Sequence, residues 1–165
     1  MARGVLSLGD DISTDIIYPG RYMATVLPTE TPQYAFADHV EFSARLRKGD
    51  IPAGSIIAGG RNFGCGSSRE QAASCIKGHQ LVVVARQFGR IFLQNAINVG
   101  LRLVICPGME AAEGDELNLT AQSVENLTQV CSYKIVPMPP ARQAIIDAGG
   151  LIPYTRRLLL DSAHV

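Results

Sequence analysis

Ser67, Ser68 and Arg69 close a glycine-rich stretch that reads Gly-Gly-Arg-Asn-Phe-Gly-Cys-Gly-Ser-Ser-Arg-Glu-Gln over residues 59–71. Two hydroxyls beside a guanidinium are what an enzyme needs to grip a carboxylate and move a proton next to it. The guanidinium fork matches a carboxylate in shape and charge. A serine hydroxyl is a poor base and acts as one only in a cationic, hydrogen-bonded setting. An apolar run at 55–58 precedes the stretch and a helix-like run at 72–77 follows it. Strand, glycine turn, helix is the order that sets the serines at a helix start. Amides there have no backbone partner and suit an anion. A reading without a ligand fits the same residues. Ser67-x-x-Glu70 and Ser68-x-x-Gln71 each match a capping box, and Arg69 has the option of a surface carboxylate. The spacing leaves both open. The turn lacks the Gly-Lys-Ser/Thr ending of a nucleotide P-loop and the glycine order of a dinucleotide fold.

The elements that must position these residues are clearest in the middle of the chain. Residues 55–58 predict a strand and residues 68–77 a helix stopped by Gly78. The β-branched run at 81–85 predicts a buried strand. Residues 90–98 predict a second helix, ended by Gly100, and 101–106 a third strand. This is β-α-β-α-β, which implies parallel strands. Ligands in such sheets bind beyond the carboxyl ends of the strands, where the glycine turn lies.

Upstream, residues 5–8 predict a short strand. Residues 9–15 predict a loop whose aspartates and serine bond to their own backbone; their spacing is not that of a calcium loop. Residues 16–28 form an apolar loop broken by proline and glycine, which either packs on the core or walls a pocket. Thr31-Pro32 predicts a helix start, with a helix over 32–39 and a second running to Arg47. Downstream, residues 115–119 and 133–136 predict antiparallel strands around a polar connection, and 141–148 a short helix. The segment 151–160 reads as a final helix or a docking segment.

The chain of 165 residues is long enough for one domain with a proper core, taken as 1–165. Formal net charge is zero, so there is no basic stripe for nucleic acid and no electrostatic pull to an anionic membrane. No apolar run approaches a membrane span, and no signal peptide is evident. The four cysteines (Cys65, Cys75, Cys106, Cys131) show no zinc spacing and no Cys-x-x-Cys. They favour a reducing, cytoplasmic setting, and no metal is expected on this chain.

Three stretches together resemble a known family. They are Gly-Asp-Asp-Ile-Ser-Thr-Asp-Ile-Ile-Tyr-Pro-Gly at 9–20, Asn-Phe-Gly-Cys-Gly-Ser-Ser-Arg-Glu-Gln at 62–71, and Phe-Gly-Arg-Ile-Phe at 88–92 with Asn-Ala-Ile-Asn-Val-Gly-Leu at 95–101. The chain is similar, over nearly its whole length, to the small subunit of 3-isopropylmalate dehydratase, the swivelling domain of the aconitase superfamily. The resemblance implies an α/β fold: a swivelling β/β/α domain with a parallel β-α-β-α-β core and additional antiparallel strands. It implies a hydro-lyase active only with a large subunit, in a heterodimer or heterotetramer. That subunit would hold a 4Fe–4S cluster through its own cysteines, one iron acting as Lewis acid on a small dicarboxylate substrate.

Carried over by position, Ser67 is the catalytic base and Asp15 a supporting catalytic residue. Ser68 and Arg69 hold a substrate carboxylate. The loop Tyr22-Met23-Ala24-Thr25 selects the substrate. Homoaconitase small subunits have an arginine in the place of Ala24, so an apolar substituent such as isopropyl is expected here. Arg21 stands where relatives often have proline, and its side chain is a candidate to reach the pocket. A related hydro-lyase, acting on 2,3-dimethylmalate or homoaconitate, is the alternative within the family. A non-catalytic carboxylate-binding module is the alternative outside it.

Overall fold

The computed structural model describes residues 2–162. Strands β1 (Ala2–Ser7), β2 (Ile56–Gly59), β3 (Val82–Ala85) and β4 (Leu103–Ile105) run parallel. Strands β5 (Glu116–Leu119), β6 (Ser123–Asn126) and β7 (Cys131–Lys134) form an antiparallel meander. The seven lie in one sheet ordered β4-β3-β2-β1-β5-β6-β7, with β5 antiparallel to β1. Past β7 the chain returns to the far edge: Val136 N–H donates to Ile105 O at 2.8 Å. The sheet thereby curls toward closure.

Strands β2 and β3 are buried on both faces, which is why they read as unbroken apolar runs. Ile57, Val83 and Ala85 join a core with the helices α1 (Thr14–Ile17), α2 (Val40–Lys48), α3 (Glu70–Gly78) and α4 (Arg90–Val99). Ile56, Ala58, Val82 and Val84 face the other way and pack with Leu117 and Val124 of the meander. Two layers of strand and one of helix result. Helix α5 (Pro140–Asp147) packs on α4, and α6 (Leu151–Ser162) follows it. No helix among the described residues is long and apolar enough to cross a membrane.

Several local expectations are corrected. Thr31 does not cap an α-helix. It is buried inside a short 3-10 turn, Thr31–Tyr34, with its hydroxyl 3.1 Å from Ser74 Oγ, and the α-helix starts later, at Val40. Neither capping box forms, because α3 begins at Glu70 with Arg69 as its N-cap and no side-chain cap bond. Gly78 does not end α3 by a left-handed turn. It is small because a Cβ there would lie 2.2 Å from Pro32 Cγ. The strand β6 lies inside what reads as a polar connection. Its pattern carries one fully buried apolar residue, Val124, so the pairing is set by its neighbours rather than by its own sequence.

Candidate active site

The glycine turn leaves the carboxyl end of β2 and is held from both sides. Asp10 accepts the Arg61 amide at 2.7 Å, and Asp11 accepts Asn62 Nδ2 at 2.8 Å. The aspartates of the first loop thus staple the turn. Ile12 O accepts the Gly64 amide at 2.7 Å, and the Thr14 amide donates to Cys65 O at 2.8 Å. Beneath the turn lies an aromatic cluster, with Phe63 fully buried and edge-on to Phe92 at 5.5 Å. Gly64 sits at φ 81, and a Cβ there would be 2.2 Å from Phe92 Cγ. Only glycine fits that position.

Ser67 and Ser68 emerge exposed from this base. Neither hydroxyl has a protein hydrogen-bond partner among the described residues. The Thr14 hydroxyl, itself buried, donates to Ser67 O at 2.9 Å. Helix α3 starts two residues after Ser68, and its first amides have no side-chain cap. Free hydroxyls near uncapped helix amides are the groups an anion would meet here.

Arg69 turns inward. Its side chain is only 10% exposed, while that of Asp15 is 57% exposed. Nη1 of Arg69 pairs with Asp15 Oδ1 and donates to Tyr18 O at 3.2 Å. Nε is buried without an acceptor. The Arg69 guanidinium, chiefly through its hydrogen bond and further through its charge, holds the Asp15 carboxyl below the usual carboxylate range, although desolvation, the second-largest influence, pushes the other way. Asp15 is therefore ionised at neutral pH, and Gly20 packs against both groups.

The loop after Gly20 completes one wall. Tyr22 stacks on Tyr34 with centroids 4.2 Å apart, and Met23 and Ala24 are exposed. Gln71 Nε2 lies 3.5 Å from Met23 O, which ties the loop to the first turn of α3. Arg21 does not point at the site: it pairs with the exposed Asp38 and lies over the Tyr22 ring at 4.7 Å. The structure thus brings Asp15, Ser67, Ser68 and Arg69 into one neighbourhood and sets the 22–25 loop beside it. Thr14 and Tyr18 were not singled out by the sequence, and Gln71 only as part of a capping box. Their roles rest on burial and long-range bonds that local spacing does not display.

The cysteines do not gather. Cys75 and Cys106 are buried, Cys65 and Cys131 half-buried, and all four are free. Among the described residues no three His, Cys, Asp or Glu side chains assemble a metal site. The described residues therefore offer no ligand set that fits an iron–sulfur cluster. Burial pushes the Cys75 thiol far up, which makes it inert.

A family model described as the aconitase C-terminal domain matches residues 12–105, the span from the aspartate loop to β4. The 3-isopropylmalate dehydratase small subunit of Methanosarcina acetivorans is 39% identical, covering 93% of this chain and 94% of that protein. The isopropylmalate/citramalate isomerase small subunit of Methanocaldococcus jannaschii is 40% identical, covering 96% and 95%. A crystal structure of a 3-isopropylmalate dehydratase from M. jannaschii superposes with a TM-score of 0.85 at 35% identity, covering 99% of this chain and 98% of that one. The parallel core, the glycine turn and these likenesses agree: the chain belongs to the aconitase C-terminal domain family, among the small subunits of 3-isopropylmalate dehydratase.

Proposed function

We propose that this chain, as one swivelling domain over residues 1–165, is the small subunit of a cytoplasmic hydro-lyase that interconverts 2-isopropylmalate and 3-isopropylmalate by dehydration and rehydration, a step of leucine biosynthesis. The observation that carries the reading is Ser67: an exposed hydroxyl with no protein partner, on a turn fixed from below, in front of a helix start and above a buried arginine. In this reading Ser67, as its alkoxide, takes the proton from the carbon beside a substrate carboxylate and becomes the neutral hydroxyl; the C–H electron pair forms the double bond, and the hydroxide leaving the neighbouring carbon would be received by the large subunit's cluster. Ser68 and the first amides of α3 receive that carboxylate, and the helix start stabilises the negative charge that develops. Arg69 supplies positive charge beneath them, its Nη1 held by Asp15 and Tyr18 O and its Nε buried. Asp15 keeps Arg69 in place. The 4Fe–4S cluster belongs to the large subunit, whose surface must close the exposed side of the site.

The 22–25 loop supports an apolar substituent. Met23 and Ala24 are exposed there, and Arg21, the cation that precedes them in sequence, is engaged with Asp38. Isopropyl and methyl groups both suit such a wall, which keeps a related substrate such as 2,3-dimethylmalate as the second reading. The test is co-expression with a cluster-bearing large subunit, anaerobic purification, and release of the unsaturated dicarboxylate from 3-isopropylmalate, citrate and 2,3-dimethylmalate. Turnover of isopropylmalate is expected, with Ser67→Ala lowering kcat by about 10²- to 10⁴-fold, the usual contribution of a positioned base. Turnover of another substrate alone replaces the pathway and keeps the mechanism. A cluster-loaded complex inactive on all three overturns the substrate assignment.

A further inference from the structure

Tyr18 begins the loop that leads to Met23 and Ala24, and it is fully buried. Its hydroxyl lies 3.1 Å from Tyr22 O and 3.3 Å from Thr25 O. One phenolic proton shared between two carbonyls closes residues 18–25 into a ring. The loop's remaining backbone bonds are short-range turns: Tyr22 N to Pro19 O, Met23 N to Gly20 O and Thr25 N to Tyr22 O, at 2.9–3.1 Å. These shape the loop but do not attach it to the core. Attachment comes from Tyr18, from the Tyr22–Tyr34 stack, from the exposed Arg21–Asp38 pair, from the Gly20 amide on the Asp15 carboxylate, and from the long Gln71 contact; of these only the Tyr18 hydroxyl is a buried side chain bonded to both Tyr22 and Thr25.

The backbone of the same residue faces the other way. Tyr18 O accepts from Arg69 Nη1 at 3.2 Å. One residue therefore holds the arginine under the serine turn with its carbonyl and the substrate loop with its side chain. Its position sets the separation between the two halves of the site. We propose that Tyr18 is a positioning residue for substrate selection: its hydroxyl fixes the path of residues 22–25, and with it the size of the group admitted beside Met23 and Ala24. Burial raises the phenol above its ordinary value, so it remains a donor throughout the neutral range. The assignment of selection rests on the reading given under the proposed function; the anchoring of the loop does not.

The variant is Tyr18→Phe, which keeps the ring and removes the proton. In the isolated chain, trypsin cleaves at the exposed Arg21, and cleavage there is followed by mass spectrometry. Cleavage about three- to tenfold faster than in wild type is expected from the loss of one hydrogen-bonded anchor. An equal rate overturns the anchoring. In the complex with the large subunit, KM for 3-isopropylmalate is expected to rise about three- to tenfold while kcat changes little, and the preference for isopropyl over methyl substituents to fall. Equal KM and preference overturn the role in selection. A wild-type complex that turns over no malate derivative removes the selection arm together with the proposed function, while the proteolysis arm still decides the anchoring. If the variant does not fold, the hydroxyl proton of Tyr18 in the wild-type chain decides it by NMR: a slowly exchanging, observable hydroxyl proton supports the anchor, and exchange at the unprotected rate overturns it.

Discussion

The hydroxyl of Thr14 donates to the carbonyl oxygen of Ser67 at 2.9 Å, across 53 positions of sequence. Thr14 is buried and Ser67 exposed. The fixed end of the contact is therefore α1, and the serine turn is held by it. Thr14→Val keeps the volume and removes the donor. The cost in stability is expected to be about 1 kcal/mol, that of one hydrogen bond. The cost in kcat is expected to be larger, about ten- to hundredfold, because a small displacement of a proton-transferring atom is penalised steeply. Paired kcat and thermal unfolding measurements check this; an unchanged kcat would mean that the turn keeps its shape without α1.

Gly64 tests the base of the turn. Its φ of 81 and the 2.2 Å approach of a Cβ to Phe92 Cγ combine strain with overpacking. Gly64→Ala is expected to destabilise by about 3 kcal/mol. Urea unfolding measures it, and Gly114→Ala is the control, since its φ of 92 carries strain but nothing lies within 4 Å.

Acid sensitivity is expected to centre on Asp115 rather than on Asp15. Asp115 is buried, and its Oδ2 accepts the Ala112 amide at 2.8 Å, with Asn126 Nδ2 and Gln129 Nε2 both at 2.7 Å. The Ala112 amide first, then Asn126, hold its carboxyl below the ordinary value. A depressed carboxyl contributes stability that is full above the unfolded value of about 3.9 and is lost as pH falls through the folded value. Asp115→Asn is expected to remove about 1–2 kcal/mol at pH 7 and to flatten the acid limb of the stability curve. Urea midpoints at pH 7, 5 and 3 for both proteins check the sign. The exposed Asp15 carboxylate is screened by water and adds little to that limb.

Ala24 is the point at which the substrate loop can be rewritten. Ala24→Arg places a guanidinium on the exposed wall while Arg21 stays with Asp38. The ratio of kcat/KM for substrates with an additional carboxylate to that for isopropylmalate is expected to rise about ten- to hundredfold, the value of one charge-assisted bond. No gain on homocitrate- or citrate-like substrates would count against this loop as the selector.

The parallel half of the fold was legible because β2 and β3 are buried on both faces, which produces apolar runs that survive without context. Ser67, Ser68 and Arg69 were legible as a possible anion cradle, and the combined blocks around them carried the family likeness. The start of α3 was misplaced by two residues because Ser-x-x-Glu is a cap only when the serine's own backbone leads into the helix. Here the chain stays extended through Arg69, at φ −119 and ψ 107, so that its side chain reaches Asp15. The inward turn of Arg69, the stapling by Asp10 and Asp11, and the Thr14 contact all join distant residues. Local pattern holds no record of them. Strand β6 escaped notice for a related reason: Ser-Val-Glu-Asn becomes a strand only between β5 and β7.

The place of β1 between two differently built half-sheets bears on the order in which a growing chain assembles. Everything needed for β1 to β4 and for helices α1 to α4 has been synthesised by Ile105, whereas the meander starts only at Glu116. A domain generally folds as a unit. The half carrying Ser67 therefore emerges first, with the outer edge of β1 open until β5 arrives to cover it. A chain cut off after β4 would retain the serine turn but present bare amides and carbonyls along β1 and an uncovered apolar layer at Ile56, Val82 and Val84. Such an edge recruits strands from other molecules. The meander is thus the chain's own guard against aggregation as much as its second layer, and shortened versions for structural work need to extend through β7.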